Sequence, residues 1–193
     1  MALILASSST IRRAMLDAAG VEYKAVPSRI EESEIKAGLR LPEEIAARLA
    51  EAKTLDVSAA HTHDWVIGSD SVVSVADRLF DKPSSREAAA EHLRFFSGKQ
   101  MKLTSAVALA RGGHVDWSHT NTAMLHVRPL SDEFIQGYLD AEWPDIGYCV
   151  GVFRLEGRGV QLFDRVDGNY FAILGMPLIP LLGALRERGL LPS

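Results

Sequence analysis

The sequence predicts a mixed α/β fold, a β-sheet flanked by helices. Three observations point there. Short apolar runs, 2–6 and 65–75, alternate with stretches of helical period, the order of a sheet covered by helices. Residues 102–110 and 114–127 read as two long strands joined by Arg111-Gly112-Gly113, a hairpin signal that brings in antiparallel pairing. With 193 residues, 47% of them hydrophobic, the chain can bury a sizeable core as one domain or two small lobes.

The elements follow in order. Residues 2–6 read as a short buried strand. Ser7 to Thr10 are helix-capping residues, and a helix runs from there to Ala19, with Gly20 as its stop. Residues 21–26 alternate like a strand and end at Pro27. Pro42 opens the next helix, at a position that tolerates proline. Ile45, Leu49 and Ala52 form its inner stripe, with Lys53 one residue past it. Residues 65–75 are the central strand, turning near Asp77. Ser84 and Glu87 make a capping-box pattern for a helix that ends at Gly98. The hairpin 102–127 follows. Ser131 caps a helix through Glu142, residues 147–167 read as strand-rich with a turn at Gly157 and Gly159, and 177–188 is the last helix. No repeat, linker or low-complexity tract interrupts the order.

Composition bounds the function. A net charge of −4 argues against general nucleic-acid binding but leaves room for a local cationic pocket. The single Cys149 excludes an internal disulfide and fits a reducing compartment. The apolar start lacks the basic region and length of a signal peptide. No run approaches the roughly 18 apolar residues of a membrane span. The expectation is a cytoplasmic, globular protein with neither nucleic acid nor membrane as partner.

Four groups of residues carry chemistry. Ala6-Ser7-Ser8-Ser9-Thr10-Ile11-Arg12-Arg13 is a hydroxyl-rich loop at a helix start, where backbone N–H groups, Ser7, Arg12 and Arg13 suit a phosphate. The plain alternative is a capped helix with two solvated arginines. Glu31-Glu32 offers carboxylates for a hard divalent ion, or is surface charge. Lys53 reaches a pocket edge, or is an exposed helix lysine. Asp70, in Gly68-Ser69-Asp70, and Lys82, before Pro83, pair an acid with a cation; the alternative for Asp70 is a turn cap. The histidines show no metal-ligand pattern, and Gly157-Arg158-Gly159 lacks the dinucleotide fingerprint.

Together these stretches resemble the Maf family of nucleoside triphosphate pyrophosphatases. The resemblance runs through Leu5-Ala6-Ser7-Ser8-Ser9 with Arg12, Glu31-Glu32, Ala52-Lys53, Gly68-Ser69-Asp70, Lys82-Pro83, residues 93–98, and Gly168 through Gly175-Met176-Pro177-Leu178. Each match is short; their joint order and spacing are specific. The resemblance implies one Maf-like, inosine-triphosphatase-like domain over residues 1–193, an elongated α/β fold of two lobes with a cleft, often a homodimer. It implies hydrolysis of a nucleoside triphosphate to the monophosphate and pyrophosphate with a divalent metal, Mg²⁺ or Mn²⁺. The family has also been linked to inhibition of septum formation. Its functional positions fall here on Ser7, Arg12, Glu32, Lys53, Asp70 and Lys82, with Asp70 as proton acceptor; in the leading reading of these residues, Glu32 with Asp70 holds the metal.

Ile11, Ser71 and Glu156 resemble the family's specificity positions. Thymidine/uridine-type members carry Arg, Thr and Gln there; the 7-methyl-GTP type carries Trp, Gln and Glu. Glu156 matches the second set, while Ile11 and Ser71 match neither. The leading reading is a pyrophosphatase for a non-standard or modified nucleotide, 7-methyl-GTP among the candidates. Two rivals stay open. One is a nucleotide-binding regulator of septum formation that does not hydrolyse; the other is an interaction module in which Arg12, Lys53, Asp70 and Lys82 do not converge.

Overall fold

A computed structural model describes residues 2–192. Among the described residues seven strands and seven α-helices are interspersed along the chain, and the strands form a mixed sheet ordered β2-β1-β3-β5-β6-β7, with β4 paired to β3 off that path. The chain divides into two compact units, built from 1–71, 104–121 and 169–193, and from 72–103 and 122–168.

The first unit holds β1 (Leu3–Leu5), α1 (Thr10–Ala18), β2 (Lys24–Ala25), α2 (Glu32–Lys36), α3 (Pro42–Ala60) and the start of β3 (Trp65–Val75). It also holds parts of β5 (Gln100–Arg111) and β6 (His114–Val127), then α6 (Tyr170–Ile173) and α7 (Leu178–Glu187). β1 pairs in parallel with both β2 and β3, in register Leu5↔Ala25 and Leu5↔Ile67. Parallel neighbours need crossovers, which α1 and α3 supply. Because β1 is covered on both faces, all of it is apolar. Leu3 and Leu5 join Leu16, Ile67, Val107, Met176 and Leu181 on one side. Ile4 and Ala6 join Val57 and Val66 on the other.

In the second unit, β4 (Arg78–Phe80) folds back on β3, and β7 (Phe163–Asp167) pairs antiparallel with β6. Helix α4 (Arg86–Phe96) packs on α5 (Asp132–Glu142). Phe80 meets Phe96 edge-on, with centroids 4.8 Å apart, and His92 lies at 5.1 Å from the Phe80 ring. Among the described residues no helix is long and apolar enough to cross a membrane.

Several elements differ from the sequence reading. The strand expected over 21–26 shrinks to Lys24–Ala25, since only its middle meets β1. The cap of α4 is Ser85, whose hydroxyl accepts from the Ala88 N–H at 3.1 Å, rather than Ser84. On α3 the buried stripe is Ile45, Ala46, Leu49, Ala50, Thr54, Val57 and Ser58, with Ala52 only half-buried. Residues 147–167 are not strand-rich: 3-10 turns occupy Asp145–Tyr148 and Arg158–Leu162, and only Phe163–Asp167 is strand. Their glycines allow close backbone packing instead; a side chain at Gly159 would meet the Arg154 backbone at 2.5 Å. The short elements α2, β4 and α6 carry too few residues to display a period.

Candidate active site

Arg12 enters the site from the first turns of α1. Ser9 caps that helix, its hydroxyl accepting from the Arg12 backbone N–H at 3.4 Å, and Ser7 accepts the Ser9 N–H at 3.1 Å. The two serines therefore organise the turn from which Arg12 projects. Its Nε donates to the Gly175 carbonyl at 2.9 Å and its Nη2 to Ser71 Oγ at 3.4 Å, while Nη1 stands 3.5 Å from Ser7 Oγ. Burial pushes the Arg12 guanidinium pKa below its ordinary value; Asp70 and Glu32 oppose that shift. An arginine so far from neutrality stays charged.

Lys53 comes from the middle of α3 and Asp70 from β3. They reach each other because Gly68 lets β3 lie directly on the helix. A Cβ at Gly68 would fall 2.1 Å from Thr54 Oγ1 and 2.5 Å from the Ala50 carbonyl oxygen. Lys53 Nζ donates to Asp70 Oδ1 and bonds Glu32 Oε1 at 2.7 Å. Glu32 is the first residue of α2, which packs on α3 and is capped by Glu31. It thus opens a helix rather than sitting in a loop. Two carboxylates and one ammonium share a point, with Arg12 close enough to sense both acids. Asp70 is only 8% exposed, so its charge lies where solvent screens poorly.

The remaining positions divide between the units. Ser71 joins the Arg12 group. Ile11 is half-buried on α1 beside it. Arg13 is not drawn in: it donates to the Ser8 carbonyl at 3.4 Å and lies by Tyr23. Lys82 and Glu156 are exposed in the second unit, and both act electrostatically on Cys149. Burial, then Glu156, pushes the Cys149 thiol up, against Arg154 and Lys82. The segment leading to Glu156 is held in place from α5. Tyr138 donates to the Val152 carbonyl at 3.1 Å, and Arg154 spans Glu142 at 2.8 Å and Asp145 at 3.0 Å. Val152 keeps a left-handed φ of 60°, a costly conformation for a β-branched residue that the surrounding contacts must enforce.

Among the described residues, no group of three or more His, Cys, Asp or Glu gathers as a metal cluster. The hard oxygen donors at hand are Glu32 and Asp70. That pair suits an ion completed by substrate phosphates and water better than a closed protein cage.

The chain as a whole is similar to known proteins. Residues 2–188 match the family model described as Maf-like protein. The chain belongs to the Maf-like family. The 7-methyl-GTP pyrophosphatase of Rhizobium etli is 46% identical over 97% of this chain and 96% of its own length. The nucleoside triphosphate pyrophosphatase of Nitrobacter hamburgensis is 44% identical over 98% of this chain and 95% of its own. Among solved structures, the Ham1 protein of Staphylococcus aureus aligns over 65% of this chain and 71% of its own with a TM-score of 0.43 and 16% identity, too remote to carry an argument.

Sequence reasoning assigned no role to Gly175, Ser69 or Ser105, all of which hydrogen-bond around Arg12 or Ser71. A backbone carbonyl has no side-chain signature, and Gly175 lies 163 residues from Arg12. The quoted Gly175-Met176-Pro177 stretch was the only available signal.

Proposed function

We propose that this Maf-like chain hydrolyses a nucleoside triphosphate to the monophosphate and pyrophosphate. The observation that carries the reading is the meeting of Lys53 with Asp70 and Glu32 beside a half-buried Arg12. Arg12 and Lys53 bind phosphate oxygens, with Ser7 as a further hydroxyl; the family resemblance adds Lys82 as a further cation. Asp70 accepts a proton from water as that water's oxygen bonds to the α-phosphorus. The bond from that phosphorus to the bridging oxygen breaks, and pyrophosphate leaves with the electron pair. Fixed cations aimed at the developing phosphate charge lower the barrier.

A divalent cation, Mg²⁺ or Mn²⁺, fits Glu32 and Asp70 as ligands. Arg12 and Lys53 only balance these two carboxylates, so a polyphosphate arriving at the cluster needs additional positive charge. When bound, the ion supplies that charge and Lewis acidity toward the attacking water. At the base end, Glu156 favours an edge rich in donors, such as guanine or 7-methylguanine, in keeping with the name of the Rhizobium relative. Cys149 as the lone cysteine supports a cytoplasmic location, and the net charge of −4 supports a small-molecule partner over nucleic acid. A homodimer rests on the resemblance alone.

Asp70→Asn separates hydrolysis from a purely binding role. It removes the acceptor charge at nearly constant size. Pyrophosphate release should fall by about two to four orders of magnitude, while triphosphate binding, measured calorimetrically, persists. Near-normal turnover in the folded variant rejects Asp70 as base, and no release by the wild type across a panel of triphosphates favours the regulator.

A further inference from the structure

Ser71 has one hydroxyl proton and three polar neighbours. It stands 2.7 Å from Ser105 Oγ, 3.2 Å from the Gly175 carbonyl and 3.4 Å from Arg12 Nη2. Ser105, fully buried on β5, donates its own proton to the Ala172 carbonyl at 2.7 Å. The short Ser71–Ser105 contact is therefore donated by Ser71, and Ser71 is left to accept from Arg12. The result is a one-way chain: Arg12 Nη2 to Ser71, Ser71 to Ser105, Ser105 to the carbonyl of Ala172 on α6. Hydrogen bonds aligned in one direction polarise and strengthen one another.

A second anchor acts on the same side chain. Arg12 Nε donates to Gly175 O at 2.9 Å. Ser69 approaches that carbonyl at 3.0 Å but has a closer acceptor in Ala106 O at 2.7 Å. Gly175 takes a φ of +112°, a conformation that favours glycine, and a Cβ there would come only to ordinary contact with Ser71 Oγ at 3.4 Å and Arg12 Nε at 3.7 Å. The Nε and one Nη2 proton of the guanidinium are thus used by the protein. One Nη1 proton is shared with Ser7 Oγ at 3.5 Å, and the remaining Nη1 and Nη2 protons form the edge left for a bidentate anion.

We propose that Ser71 and Ser105 are positioning residues, which through this hydroxyl chain fix the Arg12 guanidinium with its Nη1/Nη2 edge presented to a phosphate, so that Ser71 serves the phosphate end of the site rather than the base. The proposal rests on Arg12 binding the triphosphate. It also accounts for a serine at a specificity position where this chain matches neither base-selective set.

Steady-state pyrophosphate release on GTP, 7-methyl-GTP, dTTP and UTP tests it, alongside NMR of the Arg12 Nε–H and thermal melting. Ser71→Ala and Ser105→Ala should each raise KM by roughly two- to tenfold, by the same factor for every base. Neither should add to the KM of Arg12→Ala, as the two serines act through that one group. Both should make the Arg12 Nε–H exchange faster with solvent. Ser105→Thr, which keeps the hydroxyl, should retain the slow exchange if its melting temperature is unchanged. A KM change confined to one base, KM effects that persist in the Arg12→Ala background, or an undisturbed Nε–H signal each overturn the proposal. If Arg12→Ala leaves KM unchanged while the Nε–H signal responds to the serines, the positioning chain stands and the phosphate reading of Arg12 fails.

Discussion

Lys53 holds Glu32 and Asp70 at one point, so removing it leaves two like charges facing each other. Lys53→Met keeps the apolar stem and deletes the charge. It should cost stability by about 1–3 kcal/mol, below the ~3–5 kcal/mol for breaking a fully buried pair, because Glu32 is 42% exposed and solvent screens it. Urea unfolding reads that loss, and an unchanged midpoint denies the cluster its structural role. Pyrophosphate release should fall at the same time. Glu156 is the residue to test for base choice. Glu156→Gln supplies a donor and removes the charge, so it should shift preference from guanine-type triphosphates toward dTTP and UTP by about 1–3 kcal/mol in relative kcat/KM. A wild type that already prefers dTTP or UTP contradicts the Glu156 argument and leaves the phosphate chemistry intact. The adjacent pair Arg12 and Arg13 shows what sequence conceals at this scale. One residue's rotation on α1 sends Arg12 to Gly175 and Arg13 to the Ser8 carbonyl, while the sequence offers both equally to a phosphate.

Secondary-structure elements were legible where they are long or carry a cap. Helix α3 announced itself by Pro42, α5 by Ser131, and the β5–β6 hairpin by its paired glycines. The segment 142–162 was not legible, because its shape comes from Arg154 bonding Glu142 and Asp145 and from Tyr138 pinning Val152, contacts that leave no period. Lys53 was placed past the stripe of α3 for a related reason. The helix buries polar Thr54, whose hydroxyl turns back to the Ala50 carbonyl at 2.6 Å, and that burial rotates the inner face toward Lys53. The contact between α3 and β3 depends on the missing side chain of Gly68. Gly68→Ala should force strand and helix apart, since Ala50 O and Thr54 N are backbone atoms that cannot swing aside. Overpacking of this kind costs about 1–3 kcal/mol, and the displacement of Asp70 from Lys53 should lower kcat beyond any fall in folded fraction. An active, equally stable Gly68→Ala would show that the two elements tolerate separation. Gly68→Ala with Thr54→Ala is the informative companion; removing Oγ1 relieves only the side-chain contact, leaves the two backbone contacts, and should restore little.

At the scale of the whole molecule, pH reports on stability through groups whose protons are bound differently in the folded and unfolded chain. Asp64 accepts the Ala2 N–H at 2.7 Å, and that hydrogen bond, against desolvation, holds its carboxyl below the usual range. Asp167 is held down first by Arg165 and then by His126. His92 is lowered mainly by burial and next by Arg78, while Glu91 and Asp81 work the other way. Its Nδ1 is buried without a partner among the described residues, in an edge-on contact with Phe80. All three folded values are depressed, so the unfolded chain binds more protons and stability rises with pH. Each contribution is fully present above the group's unfolded pKa and is lost as pH falls through its folded value. For His92 the loss begins near the ordinary histidine value of about 6.5, and for the two aspartates near about 3.9. The unfolding midpoint in urea should therefore be flat above neutrality, decline on going from pH 7 to 5.5, and decline again under more acidic conditions. His92→Phe preserves an aromatic partner for Phe80 and Phe96 and has no proton to bind. It should abolish the first decline and leave the second untouched. A first decline that survives in His92→Phe assigns it to another group and denies that burial of this imidazole makes the fold acid-sensitive.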